Sequence, residues 1–232
     1  MFIKCVMFCA GVLMGANVFA HVSIVSGPFF VGSRSIVTLS VPHGCDGYDT
    51  IRVEVDIPES FTSIRPLDSV FGSATFETRD DGSISKILWT KPLGAGKDSD
   101  THYYTMSFRA VLPDTPFAKA YLPTVQHCVD ESGEPLSVSW DEVSDAHGDH
   151  GGSTKPAPSL TLMPVRHPGW NQYVTTTGQH LHDMSLFSDA EIVWWNDAAY
   201  SSNPVTLQMI EAEVNVGVLS EIHDNATFWV KY

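Results

Sequence analysis

The stretch TIRVEVDIP, residues 50–58, sets apolar Ile51, Val53, Val55 and Ile57 against charged Arg52, Glu54 and Asp56. A period of two places the apolar set on one face of a strand and the charged set on the other. Working outward, residues 35–41, 86–91 and 101–111 read as further strands. Between them lie turn formers at 43–47 (HGCDG), 80–82 (DDG) and 92–96 (PLGAG). Short strands at this spacing, with no convincing helix among them, point to an antiparallel, immunoglobulin-like β-sandwich over residues 21–143.

Residues 144–159, SDAHGDHGGSTKPAPS, change to a small, polar, proline-containing composition and read as a flexible linker. His147 and His150 sit there among Asp145 and Asp149, a tract able to wrap a cation, although a solvated linker is the preferred reading. Residues 160–232 read as a second, smaller α+β unit. It is expected to hold a buried strand at 190–195, a short amphipathic helix at 203–213 opened by Pro204, and a closing strand at 226–232. Trp170, Trp194, Trp195 and Trp229 concentrate in this unit, suiting either a compact core or a surface on which sugars stack; core packing is the commoner use.

Ahead of the sandwich, residues 1–20 read as a cleavable export leader. Lys4 supplies a positive start, residues 5–14 are almost wholly apolar, and Val18-Phe19-Ala20 fits the small-residue pattern of a signal peptidase site. Cleavage is expected between Ala20 and His21. A membrane anchor is the weaker reading, because Gly11, Gly15 and Asn17 interrupt a run already short for a bilayer core of ~30 Å. The mature chain is thus expected in the periplasm or the medium, with no membrane insertion after cleavage. The whole chain carries a formal net charge of −14. Such a charge repels nucleic acid and anionic lipid and favours cations as partners.

Of the four cysteines, Cys5 and Cys9 leave with the leader, and Cys45 and Cys128 remain. An even pair in an oxidising compartment reads as one structural disulfide. A thiol copper site is the alternative, disfavoured by the absence of a CxxC spacing.

Cleavage before His21 would expose a residue offering two nitrogens, the α-amine and Nδ1, to a single metal. Copper(II) stands highest in the affinity order for such nitrogen ligands. The competing reading is that some residue must follow every leader, and histidine will sometimes do so by chance.

Several separated motifs then resemble the YcnI-like copper-binding family: AHV at 20–22, VPHGC at 41–45, T-x-x-V-x-V-x-IP at 50–58, LPTVQHC at 122–128 and a late tryptophan, Trp140. The likeness covers about residues 21–143. Residues 160–232, with GWNQY at 169–173 and the closing WVKY, resemble a tail found behind this domain in some members. What the resemblance implies is one Cu(II) per chain, held by His21 through amine and ring, with a strand carboxylate and a nearby tryptophan. Glu54 is the carboxylate chosen, with Asp46 or Asp56 as substitutes, and Trp140 is the aromatic neighbour that covers the ion. His43, in the turn before Cys45, is a further candidate ligand; for His102 and His127 a core or surface role dominates. The function implied is copper homeostasis: buffering, or a metallochaperone's delivery to an importer, a cuproprotein or another chaperone, with no catalytic step. The rivals are an N-terminal-histidine copper monooxygenase, which needs a second facing histidine, and an envelope carbohydrate-binding or adhesion module using the tryptophans.

Overall fold

A computed structural model describes residues 21–96, 99–143 and 155–232. The expected leader, and most of the expected linker including His147 and His150, lie outside the described residues. In chain order the strands are β1 (Ser23–Ile24), β2 (Phe29–Phe30), β3 (Arg34–Val41), β4 (Thr50–Asp56), β5 (Thr62–Leu67), β6 (Ser73–Thr78), β7 (Ile84–Thr90), β8 (Tyr104–Val111), β9 (Lys119–Tyr121), β10 (Thr124–Val129), β11 (Pro135–Trp140) and β12 (Ser159–Met163). There follow β13 (Trp170–Val174), a 3-10 helix Met184–Phe187, β14 (Ile192–Trp195), β15 (Ala198–Tyr200), α1 (Pro204–Ala212), β16 (Gly217–Val218) and β17 (Thr227–Lys231).

Two sheets make the sandwich: β1-β3-β8-β5 and β11-β10-β4-β7-β6. Their pairings are antiparallel throughout. Strand β4, the TIRVEVD segment, lies at the centre of the second sheet, so its alternation is read on both sides by neighbours. Val53, Val55 and the following Ile57 are buried, with Ile51 half-buried. They meet Val37, Leu39 and Val41 of β3, Met106 and Phe108 of β8, and Ile87 and Trp89 of β7 in one continuous core. Each such side chain removed from water contributes on the order of 1.5–3 kcal/mol.

The stretch assigned from sequence to linker and second unit behaves differently at its junction. Strand β12 pairs with β9 and β2, and Leu160 and Leu162 belong to the sandwich core. Glu142 bridges to Pro156, and the N–H of Ala157 donates to the Glu142 carbonyl at 2.9 Å. The sequence reading ends the linker at Ser159 and gives residues 160–163 to the second unit, because an alternation only five residues long does not show which sheet it joins. The sandwich therefore extends through Leu162, while Met163 packs with the second core.

In that second unit the sheet order is β13-β17-β14-β15-β16. Helix α1 begins where the sequence places it: Pro204 stands at the first turn, and the Asn203 side chain accepts from the N–H groups of Val205 and Thr206. Phe187, Val193, Phe228 and Val230 are fully buried. The expected buried strand is instead two-faced. Val193 points inward, while Trp194, opposite Trp229 on β17, lies on the outer face.

Candidate functional site

His21 stands two residues ahead of β1, an edge strand of the first sheet, and Trp140 ends β11, an edge strand of the second. Their rings meet across this open side of the sandwich, with centroids 5.4 Å apart and planes tilted by 49°. Val22, buried to 2% exposure, anchors the backbone beside the half-buried His21. The Ser23 hydroxyl pairs with that of Ser40 at 3.0 Å.

Behind Trp140 lies a buried polar hub. The indole N–H donates to Gln126 Oε1 at 3.2 Å, and Gln126 Nε2 donates to the His43 carbonyl at 2.6 Å and to Thr50 Oγ1 at 2.7 Å. The alternation of β10 explains the hub: Thr124, Gln126 and Cys128 all face inward and are buried. Sequence reasoning missed Gln126. The signal available was the T-x-Q-x-C spacing, which on any strand sets a polar amide on the same face as the cysteine.

Cys45 and Cys128 form the expected disulfide, joining the turn after β3 to β10. The turn itself fixes the HGCDG residues. Cys45 and Tyr48 exchange backbone hydrogen bonds, with Asp46 (φ 49°) and Gly47 (φ 89°) both left-handed between them, as a tight hairpin turn requires. A Cβ on Gly44 would lie 1.7 Å from the Tyr48 carbonyl oxygen, so only glycine fits there. Asp46 is exposed at the turn tip. His43 keeps its Nδ1 2.8 Å from the Gly44 carbonyl and 3.8 Å from Asp100.

Glu54 lies elsewhere. Trp140 pairs with Thr124, and Thr124 pairs with Val55, so these three share the inner face. Glu54, one residue before Val55, faces out. There its carboxylate lies 2.7 Å from the Arg52 guanidinium, 3.1 Å from Lys86 Nζ and 3.0 Å from His127 Nε2, the last outside good hydrogen-bond alignment. Burial alone would raise the Glu54 pKa. The Lys86 hydrogen bond and the charges of Arg52, Lys86 and His127 outweigh it and hold the carboxyl below the ordinary glutamate range. Asp56 belongs to the same outer row, 3.6 Å from Lys86. Alternation along β4 thus separates the chosen carboxylate, and its substitute Asp56, from the tryptophan with which the sequence reading grouped them.

The remaining histidines of the sandwich are surface groups. His102 stacks on Tyr104 at 6.0 Å, and His127 belongs to the Glu54 row. Beside the turn, Asp49 is buried against Lys91, and the Tyr104 hydroxyl donates to it at 2.7 Å. Burial first, then this hydrogen bond and the Asp49 charge, push the Tyr104 phenol well up. Among the described residues no group of three or more His, Cys, Asp or Glu side chains is placed so that it could hold a metal ion. The sandwich therefore offers a histidine covered by an indole, with no carboxylate yet joined to it.

A family model described as a domain of unknown function, DUF1775, matches residues 21–162, more than half of the chain. The chain belongs to the DUF1775 family. That family includes the YcnI-like proteins whose motifs this sequence resembles. The match ends at Leu162, the last residue of the chain in the DUF1775 sandwich core. No curated protein matches this sequence. Among solved structures the chain is similar to an uncharacterized protein from Nocardia farcinica whose crystal structure reveals an immunoglobulin-like fold. The two are 23% identical over 62% of this chain and 98% of that one, with a TM-score of 0.52. It also matches a chain of a type I cohesin–dockerin complex from Clostridium thermocellum, at 12% identity over 62% and 99% of the two chains, with a TM-score of 0.35. The likeness to the Nocardia farcinica protein, at 23% identity, speaks to the fold alone.

Proposed function

We propose that the DUF1775 domain of this protein is an exported copper-binding module that carries Cu(II) on its mature N-terminal histidine. The observation that carries the reading is the seat of His21: its ring lies against Trp140 at the open side of the sandwich, 5.4 Å between centroids. Cleavage before His21 would free an amine beside that ring, and amine plus imidazole is a strong cupric donor pair. The indole has no lone pair to give; it shields the ion from water and reductant. Glu54, held on the outer face by Lys86, Arg52 and His127, is a structural residue in this proposal. His43, whose backbone carbonyl is tied to Trp140 through Gln126, is kept as a further candidate ligand in this proposal. An open coordination sphere of this kind favours transfer of copper to an importer, a cuproprotein or another chaperone over storage, in the periplasm or outside the cell.

The test is Cu(II) titration followed by electron spin resonance on protein whose first residue is verified by mass as His21. One ion per chain with nitrogen hyperfine structure is the expected result. Adding a single alanine ahead of His21 should abolish it, and Glu54→Gln should leave it intact. Correctly trimmed protein that leaves the metal in solution, or an extended chain that binds equally well, would overturn the proposal.

A second reading has its own support. Trp170, Trp194 and Trp229 line an apolar recess of about 440 Å³ on the outer face of the second unit's sheet, and Trp170 is 53% exposed. Flat, exposed indoles of this kind stack on sugar rings. Polysaccharide pull-down that is lost on Trp229→Ala would support it, and equal retention by both proteins would end it.

A further inference from the structure

The second unit brings together three histidines that the copper reading does not use. The segment His180-Leu181-His182 lies antiparallel to Glu221-Ile222-His223 through an isolated bridge, with Leu181 and Ile222 exchanging backbone hydrogen bonds at 2.9 and 3.0 Å. Leu181 and Ile222 point into the second core, at 3% and 0% exposure. Alternation then sends His180, His182, Glu221 and His223 out on the opposite face, with His180 across from His223 and His182 across from Glu221. Three residues of chain on each side are enough to gather three imidazoles and a carboxylate.

The side chains bear this out. The His180 ring lies 5.5 Å from that of His182 and 5.4 Å from that of His223, centroid to centroid. In a tetrahedral zinc site with Zn–N bonds of about 2.0–2.1 Å, the centroids of two ligating imidazoles fall about 5 Å apart. Glu221 sits between two of the rings: its carboxylate is 2.9 Å from His182 Nδ1 and 3.7 Å from His223 Nε2. Asp224 stands behind the third, 3.5 Å from His180 Nε2, and is itself fixed by the N–H of Gly178 at 3.2 Å. A carboxylate on the far nitrogen of an imidazole is the arrangement that orients metal-bound histidines. His182 and His223 are about half exposed, so an ion can reach them and their rings can turn.

We propose that His180, His182 and His223, with Glu221, form a binding site for a divalent late-transition ion, zinc(II) or copper(II), on the C-terminal unit. Imidazole and carboxylate together suit both ions and disfavour calcium or magnesium, which take all-oxygen shells. As the side chains are placed, Glu221 lies between His182 and His223, and among the described residues no group of three converges on a metal position; binding of the ion therefore requires those two half-exposed rings to turn toward His180. The site is independent of the signal-cleaved amine, so the chain can hold a second ion away from the sandwich.

The experiment uses the whole mature chain carrying His21→Ala, which removes the amino-terminal site from consideration. Stripped protein is dialysed to equilibrium against zinc(II) and, separately, copper(II), and bound metal per chain is measured. One ion per chain is expected, with the ring nitrogens of His180, His182 and His223 shifting in long-range 15N spectra. His182→Ala and His223→Ala should each weaken binding by at least about tenfold, and His167→Ala should not. Near-ultraviolet circular dichroism checks that each variant stays folded. Absence of bound ion, retention by a folded His182→Ala/His223→Ala chain, or uptake of calcium and magnesium equal to that of zinc would each overturn the site. Because His21 is already absent, none of these results bears on the copper proposal.

Discussion

Trp140 donates its indole N–H to the side-chain oxygen of Gln126 at 3.2 Å, in a part of the core where both residues are almost fully buried. That one amide also satisfies the His43 carbonyl and the Thr50 hydroxyl. It thereby fixes the turn after β3 to the tryptophan on which His21 rests. Gln126→Leu keeps most of the volume and removes every one of these bonds. Each orphaned buried group costs about 1–3 kcal/mol. Urea unfolding should therefore show a loss of at least ~2 kcal/mol, and a loss within measurement error would mean that the hub contributes nothing.

The disulfide spans 83 residues of sequence. The chain-entropy account assigns such a closure about 4–5 kcal/mol, acting mainly on the unfolded state. Reduction, or Cys45→Ala with Cys128→Ala, should lower the unfolding midpoint sharply while the near-ultraviolet spectrum of the surviving folded fraction stays native. An unchanged midpoint would assign the bond a role other than stability.

Asp49 and Lys91 are 2% and 6% exposed and are paired with each other, with Tyr104 bridging them. Removing one member strands the other's charge in the interior, at a cost of about 3–5 kcal/mol. Asp49→Ala should fall in that range. Tyr104→Phe, which spares the ion pair, should cost only about 1 kcal/mol. Equal effects would show that the tyrosine hydroxyl, rather than the charge pair, dominates.

Glu54 has a folded-state pKa below the ordinary glutamate range, despite burial acting the other way. A depressed carboxyl stabilises the fold at pH values above its unfolded-state pKa, and that contribution fades as pH falls through the folded-state value. Wild type should therefore be more stable than Glu54→Gln near neutral pH, with the gap closing in acid. A gap that is constant across the acid range, measured by urea midpoints, would contradict the linkage. Copper uptake by the same variant separates this structural role from a ligand role.

On the sheet of the second unit the two faces should respond oppositely. Phe228, fully buried between Phe117, Tyr173 and Phe187, should cost about 3–5 kcal/mol on truncation to alanine. Trp170→Ala, at a half-exposed position on the other face, should cost less than about 1 kcal/mol. Comparable losses from thermal melts would show that the tryptophan face is covered in the folded molecule.

Local chemistry determined much of this protein without help from tertiary contacts. The alternation in residues 50–58 demanded a two-faced strand, the turn formers at 43–47 demanded a turn, and Asn203-Pro204 announced a helix start. In each case the cause lies within a few residues of the effect. Pairing register and chain return were decided only by the folded molecule. Alternation within β4 already set Glu54 on the polar face; register decided that Trp140 shares the face of Val55 and turns inward to Gln126, which no single strand reveals. Strand β12 was drawn into the sandwich because β2 and β9 left a place to pair, although its sequence reads as the start of the second unit. The three histidines of the second unit became neighbours for the same reason: Leu181 and Ile222, some forty residues apart, needed the same core.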